Sequence, residues 1–212
     1  MFTNRVQAGR LLGEKLETEL GKAENRIVLG IPRGGVVTAG TIAQILKCPL
    51  DVIITKKVNP PDRPELALGA VGETEGSEYL NQSIIRELKI NSDYLKREIA
   101  RKKGEIKRRE EIFRAGRPPV SLENKEVIVV DDGAATGATM IAALREVWNN
   151  QPKKVIAALP VLAQDTLNKL ETEADEVIYL QVPKLFFAVG QFYKNFPQVS
   201  DEKVREILGG VF

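Results

Sequence analysis

Residues 127–139, Val-Ile-Val-Val-Asp-Asp-Gly-Ala-Ala-Thr-Gly-Ala-Thr, constrain the fold of this chain more than any other segment. Four β-branched residues without polar alternation predict a strand buried on both faces, as in a parallel sheet covered by helices. A small-residue turn from Gly133 to Ala138 follows, and Thr139-Met-Ile-Ala-Ala-Leu opens a helix. Such a turn lets backbone N–H groups approach an anion at the helix N-terminus, with the Thr136 and Thr139 hydroxyls beside it.

The same rhythm recurs along the chain. Strands are predicted at Arg26–Ile31, Asp51–Thr55, Lys154–Leu159 and Glu176–Gln181, with helices at Thr3–Leu20, Val36–Leu46 and Gln164–Leu170 and a short one from Asp201. Strand–helix alternation implies right-handed parallel crossovers. The expected fold is therefore α/β, a doubly wound, mostly parallel five-stranded sheet, whose ligands bind outside the C-terminal strand ends. Residues 56–65 hold three prolines and read as a loop, since neither a helix nor a central strand accepts them. Leu66–Val71 and Glu78–Leu80 flank Gly72-Glu-Thr-Glu-Gly-Ser as a β-hairpin, followed by helices at Ser83–Lys89 and Ser92–Ala115. We expect a single domain over 1–212, with a hairpin and long-helix insertion at about 66–118 and a small hood at about 183–212.

Composition removes several chemistries. With no histidine at all, His-based triads and His-ligated zinc are excluded. Any metal must then bind through oxygen, which favours Mg²⁺ carried by a phosphorylated substrate. The lone Cys48 fits a reducing compartment as small buried filler. No apolar stretch approaches the roughly 20 residues needed to span a bilayer, and the first ten residues lack a signal-peptide core, so a cytoplasmic location and no membrane partner are expected.

The loop after Val130 lacks the Lys of a triphosphate loop and the Gly-x-Gly-x-x-Gly of a dinucleotide site. Asp131 and Asp132 would repel a triphosphate, yet they suit the vicinal hydroxyls of a ribose whose 5-phosphate sits on Gly133, Ala134, Ala135, Thr136, Gly137, Ala138 and Thr139. At these residues the chain resembles the type I phosphoribosyltransferases, whose signature is a hydrophobic strand, Asp-Asp, three variable residues and Thr-Gly-x-Thr.

The resemblance implies a type I phosphoribosyltransferase fold and transfer of 5-phosphoribosyl from phosphoribosyl pyrophosphate to a nitrogenous base or related acceptor, with Mg²⁺ and release of pyrophosphate. It places pyrophosphate on Arg33, Gly34, Gly35, Lys56 and Lys57, the glycines allowing strained backbone and close approach. It makes Arg33, Lys57 and Glu65 the catalytic candidates, with Arg63 entering as the 56–65 loop closes. Asp131 and Asp132 would meet the metal only indirectly, through ribose or water. Ala135 replaces the Asp that hypoxanthine–guanine members carry before Thr-Gly, which counts against 6-oxopurine salvage. The acceptor hood falls on 183–196, where Phe186, Phe187, Phe192, Tyr193 and Phe196 either stack on a base or form a satellite core. This tail and the Pro-Pro-Asp-Arg-Pro-Glu loop are similar to those of uncharacterised bacterial and archaeal phosphoribosyltransferases, which bring no acceptor with them.

Lys96 to Arg114 carries nine Lys or Arg against four Glu, whereas the whole chain is only +2. Leu95, Ile99, Ile106 and Phe113 fall on one helical seam together with Lys102 and Arg109. The segment is either a helix packed on the body or a second subunit, leaving room for a homodimer, or a nucleic-acid contact. The latter would make the protein a non-catalytic regulator sensing phosphoribosyl pyrophosphate through helix 96–114. A hydrolase on a similar sheet is a weaker alternative, for want of a catalytic Lys near the acids.

Overall fold

A computed structural model describes residues 1–210 except Asp62, Pro64 and Glu65. Five parallel strands form the main sheet: β1 (Arg26–Gly30), β2 (Leu50–Val52), β6 (Glu126–Val130), β7 (Lys154–Val161) and β8 (Glu176–Gln181), in the order β2-β1-β6-β7-β8. The unbroken apolar run of β6 has the predicted cause. Ile128 and Val130 face one core with Leu12, Leu16, Val36 and Ile42, while Val127 and Val129 face the other with Met140, Ile141, Leu144 and Leu167. The first core is covered by α1 (Arg5–Leu20), α2 (Gly34–Leu46) and α7 (Asp201–Gly209), and the second by α5 (Ala138–Trp148) and α6 (Gln164–Leu170).

Connections leave β1 and β6 in opposite directions across the sheet, so a crevice opens between their C-terminal ends, where such sheets bind ligands. The two strands end in register, Gly30 beside Val130. The backbone N–H of Ile31 donates to the Val130 carbonyl at 2.9 Å, carrying the pairing one residue further. Asp131 therefore emerges beside the start of the loop that follows β1.

A second sheet is antiparallel, of β3 (Lys56–Val58), β4 (Gly69–Val71) and β5 (Tyr79–Leu80), and leads into α3 (Gln82–Glu87) and α4 (Ser92–Arg114). The hairpin matches expectation, but Lys56–Val58 is a strand paired to Val71, Ala70 and Gly69, not loop. The prolines begin only at Pro60, and Lys56 and Lys57 suit an edge strand, which charge protects from further pairing. Along α4, Ile106 and Phe113 are buried in the first core and Leu95 and Ile99 pack on it. The basic helix is thus fixed to the body by its apolar seam. Among the described residues no helix is long and apolar enough to cross a membrane.

Candidate active site

The loop after β6 is shaped by two glycines with positive φ, Gly133 at 156° and Gly137 at 74°, where a side chain would be strained. Space is short as well. A Cβ on Gly133 would lie 2.7 Å from Val189 Cγ1, and one on Gly137 2.7 Å from Thr166 Cγ2. The loop is pinned from β7 and α6: Ala134 N–H donates to the Val161 carbonyl at 3.0 Å, and Thr166 Oγ1 donates to the Ala135 carbonyl at 2.7 Å. Its own donors stay open. Among the described residues nothing in the protein accepts from the backbone N–H groups of Ala135, Thr136, Gly137, Ala138 or Thr139. Five successive amides at the start of α5, with Gly137 as an N-cap lacking a side-chain bond, form a cradle for an anion.

Asp131 and Asp132 sit at the mouth of the crevice. Asp131 Oδ1 accepts from the Asp132 N–H at 2.8 Å, and Asp132 Oδ2 accepts from Arg5 Nε at 2.6 Å. Burial, and then the neighbouring Asp132 charge, push the Asp131 carboxyl well above the usual carboxylate range. Burial also raises Asp132, with the hydrogen bond and charge of Arg5 opposing it. Two buried acids, one of them with a guanidinium beside it that favours its charged form, suit acceptance of sugar hydroxyls.

Arg5 escaped the sequence reading, although a signal was present. It shares the face of Ala8, Leu12 and Leu16, and all four are buried, so it is a cation on the apolar side of a helix. Such a cation needs a buried partner.

The loop after β1 approaches these acids as expected. The Pro32–Arg33 peptide is cis, and Gly34 and Gly35 begin α2. A Cβ on Gly34 would lie 1.9 Å from Asp132 Oδ2, and one on Gly35 2.8 Å from both Asp131 Cα and the Val130 carbonyl oxygen. Close approach is thus the reason for both glycines. Strain is not, because neither has positive φ. The exposed Arg33 lies 3.8 Å from Asp201, which also takes Arg109 at 2.8 Å.

Lys56 is engaged with Glu105 of α4 at 3.4 Å, and Lys57 is exposed. Arg63 borders a surface cavity with Pro60, Pro61, Leu88 and Tyr94, against the insertion rather than the acids. Glu65 lies outside the described residues.

The hood is largely a satellite core. Tyr193 is buried and packs on Phe2 and Phe196 with ring centroids 5.3 and 4.9 Å apart, and Phe186 packs on Phe192 at 4.9 Å. Tyr193 therefore offers no face to a base, a correction to its expected stacking role. Its ring fills the gap between the N-terminus and the tail, and its hydroxyl donates to the Asp132 carbonyl at 2.5 Å. Phe187 is 82% exposed on a turn that Gln191 braces, its Oε1 accepting from the Phe187 and Ala188 N–H groups at 3.0 and 3.1 Å.

A parallel sheet with open helix-start amides and two acids at its switch point has the layout of α/β domains whose ligands sit outside the strand ends. More narrowly, the phosphoribosyl transferase domain family model matches residues 5–195, and the chain belongs to that family. It is 41% identical over 208 residues to a Mycobacterium tuberculosis protein whose name carries phosphoribosyl transferase as a provisional description. The match covers 98% of this chain and 46% of that protein, so the chain spans about half the length of the curated relatives it matches. The crystal structure of TT1426 from Thermus thermophilus superposes with a TM-score of 0.80 at 43% identity, over 98% of this chain and 97% of that one. AQ2163 from Aquifex aeolicus, at 16% identity, a TM-score of 0.52 and 98% and 87% coverage, shares the fold alone. These likenesses fit the α/β, five-stranded type I phosphoribosyltransferase fold expected from the sequence.

Proposed function

We propose that the chain transfers a 5-phosphoribosyl group from phosphoribosyl pyrophosphate to a nitrogen acceptor, with release of pyrophosphate. The observation that carries this reading is the row of open amides at residues 135–139 directly after the paired acids. The amides fit a 5-phosphate, and Asp131 and Asp132 accept from the ribose 2- and 3-hydroxyls. Gly34 and Gly35 bring the first-turn amides of α2 against the same acids, where pyrophosphate would sit, and Arg33, once turned from Asp201, and Lys57 would supply positive charge. Departure of pyrophosphate leaves oxocarbenium character on the ribose, so catalysis consists of holding both charges in place and excluding water.

Among the described residues no group of three or more His, Cys, Asp or Glu is suited to hold a metal. A magnesium ion fits this chain as a companion of the donor's pyrophosphate, meeting Asp131 and Asp132 through ribose hydroxyls or water. When bound it would supply charge neutralisation to the leaving group. The acceptor belongs under the exposed part of the hood, Phe187 and its neighbours. Ala135 argues against a 6-oxopurine.

The regulator alternative has less to draw on. Lys102, Lys103 and Arg109 of α4 are engaged with Glu98, Glu78 and Asp201. Incubation with phosphoribosyl pyrophosphate, Mg²⁺ and a panel of bases decides between them by pyrophosphate release. Release that depends on one base is expected, and donor binding without turnover for any base sinks the enzyme reading.

A further inference from the structure

Arg5 is buried to 8% exposure at the floor of the site, and three parts of the chain hold it. Its Nε donates to Asp132 Oδ2 at 2.6 Å, and its Nη1 donates to the Pro197 carbonyl at 2.8 Å. Its guanidinium carbon lies 3.6 Å from the centre of the Phe196 ring. A Cβ on Gly34 would stand 2.8 Å from Arg5 Nε as well as against Asp132, so guanidinium, acid and the start of α2 meet at one point. Tyr193 grips the same residue from the other side through the Asp132 carbonyl. Burying a guanidinium is costly unless its donors are met, and here the acid meets Nε and the hood meets Nη1.

We propose that Arg5 is a positioning residue for the ribosyl donor, fixing the Asp132 carboxylate toward the sugar and tying it to the hood through Phe196 and Pro197. The inference rests on reading Asp131 and Asp132 as the ribose acids. Each then has one oxygen engaged inside the protein, Asp131 Oδ1 by the Asp132 N–H and Asp132 Oδ2 by Arg5. The two carboxyl groups also lie within hydrogen-bond reach of each other, a contact that sugar hydroxyls would replace, and no N–H donor among the described residues fills their remaining oxygens. Two such oxygens on adjacent residues match two vicinal hydroxyls. The guanidinium does more than aim the acid. Among the described residues it is the one cation facing the pair from α1, while α2 presents only glycines because Arg33 turns toward Asp201, and the tail presents the neutral Tyr193 hydroxyl. Without Arg5, two buried carboxylates face each other with no neutralising neighbour, and the pair holds a proton to higher pH. A protonated carboxyl loses an acceptor that the sugar needs.

The test is calorimetric titration of the full chain with phosphoribosyl pyrophosphate and Mg²⁺ between pH 5.5 and 9, using wild type, Arg5→Gln, Arg5→Lys and Phe196→Leu. For Arg5→Gln the expected result is affinity about tenfold weaker near pH 6 and recovering as pH rises, so the acid limb of the binding profile moves up by about one pH unit. Arg5→Lys should return the limb toward wild type while affinity stays short of it, because an ammonium cannot reproduce the fork. Loss by one constant factor at every pH, or no loss, overturns the proposal. Should Arg5→Gln fail to fold, Phe196→Leu keeps the cation and loosens its seat: about threefold weaker binding with an unmoved limb is expected, and unchanged affinity overturns the role. A wild-type chain that binds no donor at any pH sinks the donor reading itself and the role of Arg5 with it, whereas a failure confined to the variants sinks only the clamp.

Discussion

The loop at 131–139 and the hood at 183–196 both border the crevice, yet they differ in what they leave undone. The loop is held rigidly from behind, by Val161 and Thr166, while its forward amides find no acceptor among the described residues. In the hood most of the aromatic rings are already engaged: Tyr193 with Phe2, Phe196 and the Asp132 carbonyl, and Phe186 with Phe192, while Gln191 braces its own turn. Unmet bonding capacity at a rigid backbone marks where a ligand is held. Satisfied aromatic packing marks what holds the wall.

The largest effect that would break this contrast belongs to Asp131→Asn. Asn keeps the size but replaces a carboxyl oxygen facing the sugar with an amide NH2, and donor affinity should fall about 100-fold in calorimetry, since a buried polar group left mispaired costs roughly 1–3 kcal/mol. A loss of twofold or less would strip the acid pair of its role. Next is Tyr193→Ala, which empties a buried site in the hood and should lower stability by about 3 kcal/mol in urea unfolding. Gly35→Ala comes third, because its Cβ would press on the backbone at Val130 and Asp131. A cost of roughly 1–3 kcal/mol and a clear drop in donor affinity are expected, and wild-type affinity would mean that the approach of α2 is incidental.

A smaller effect is expected at Glu110, where burial and then the neighbouring Glu73 push the carboxyl up to about 7 against the pull of Arg114. A raised folded value means that the native state binds more protons than the unfolded chain, so stability present at low pH is lost as pH rises through the window from about 4.5 to about 7. Glu110→Gln should flatten that slope and raise Tm at pH 8, and an unchanged pH–Tm curve would refute the assignment. Smallest is Phe187→Ala, at 82% exposure. Stability should stay within about 0.5 kcal/mol, so any rise in acceptor KM reports contact with the base rather than folding.

The same contrast explains what was legible in the sequence. Strand β6, its acids and its loop are contiguous, so burial, turn chemistry and helix start lie within thirteen residues and read directly. The Arg5–Asp132 pair spans 127 residues, and nothing local names the partner, although a cation on the apolar face of α1 announces that one exists. The hood aromatics were ambiguous because a ring that packs on a neighbour and a ring that stacks on a ligand have the same composition. Lys56–Val58 looked like loop because its edge pairing with β4 depends on residues a dozen positions later.

The contact between Phe2 and Tyr193 carries a consequence in time. The Phe2 N–H donates to the Phe192 carbonyl at 2.7 Å, joining the second residue to one nearly at the far end of the chain. During synthesis α1 emerges before the hood, so the Phe2 ring and the Arg5 guanidinium have no seat until residues 192–197 have left the ribosome. The loop at 131–139 can form earlier, once β7 and α6 exist to brace it. Hood closure therefore follows the cradle in assembly and has a far larger loop to close.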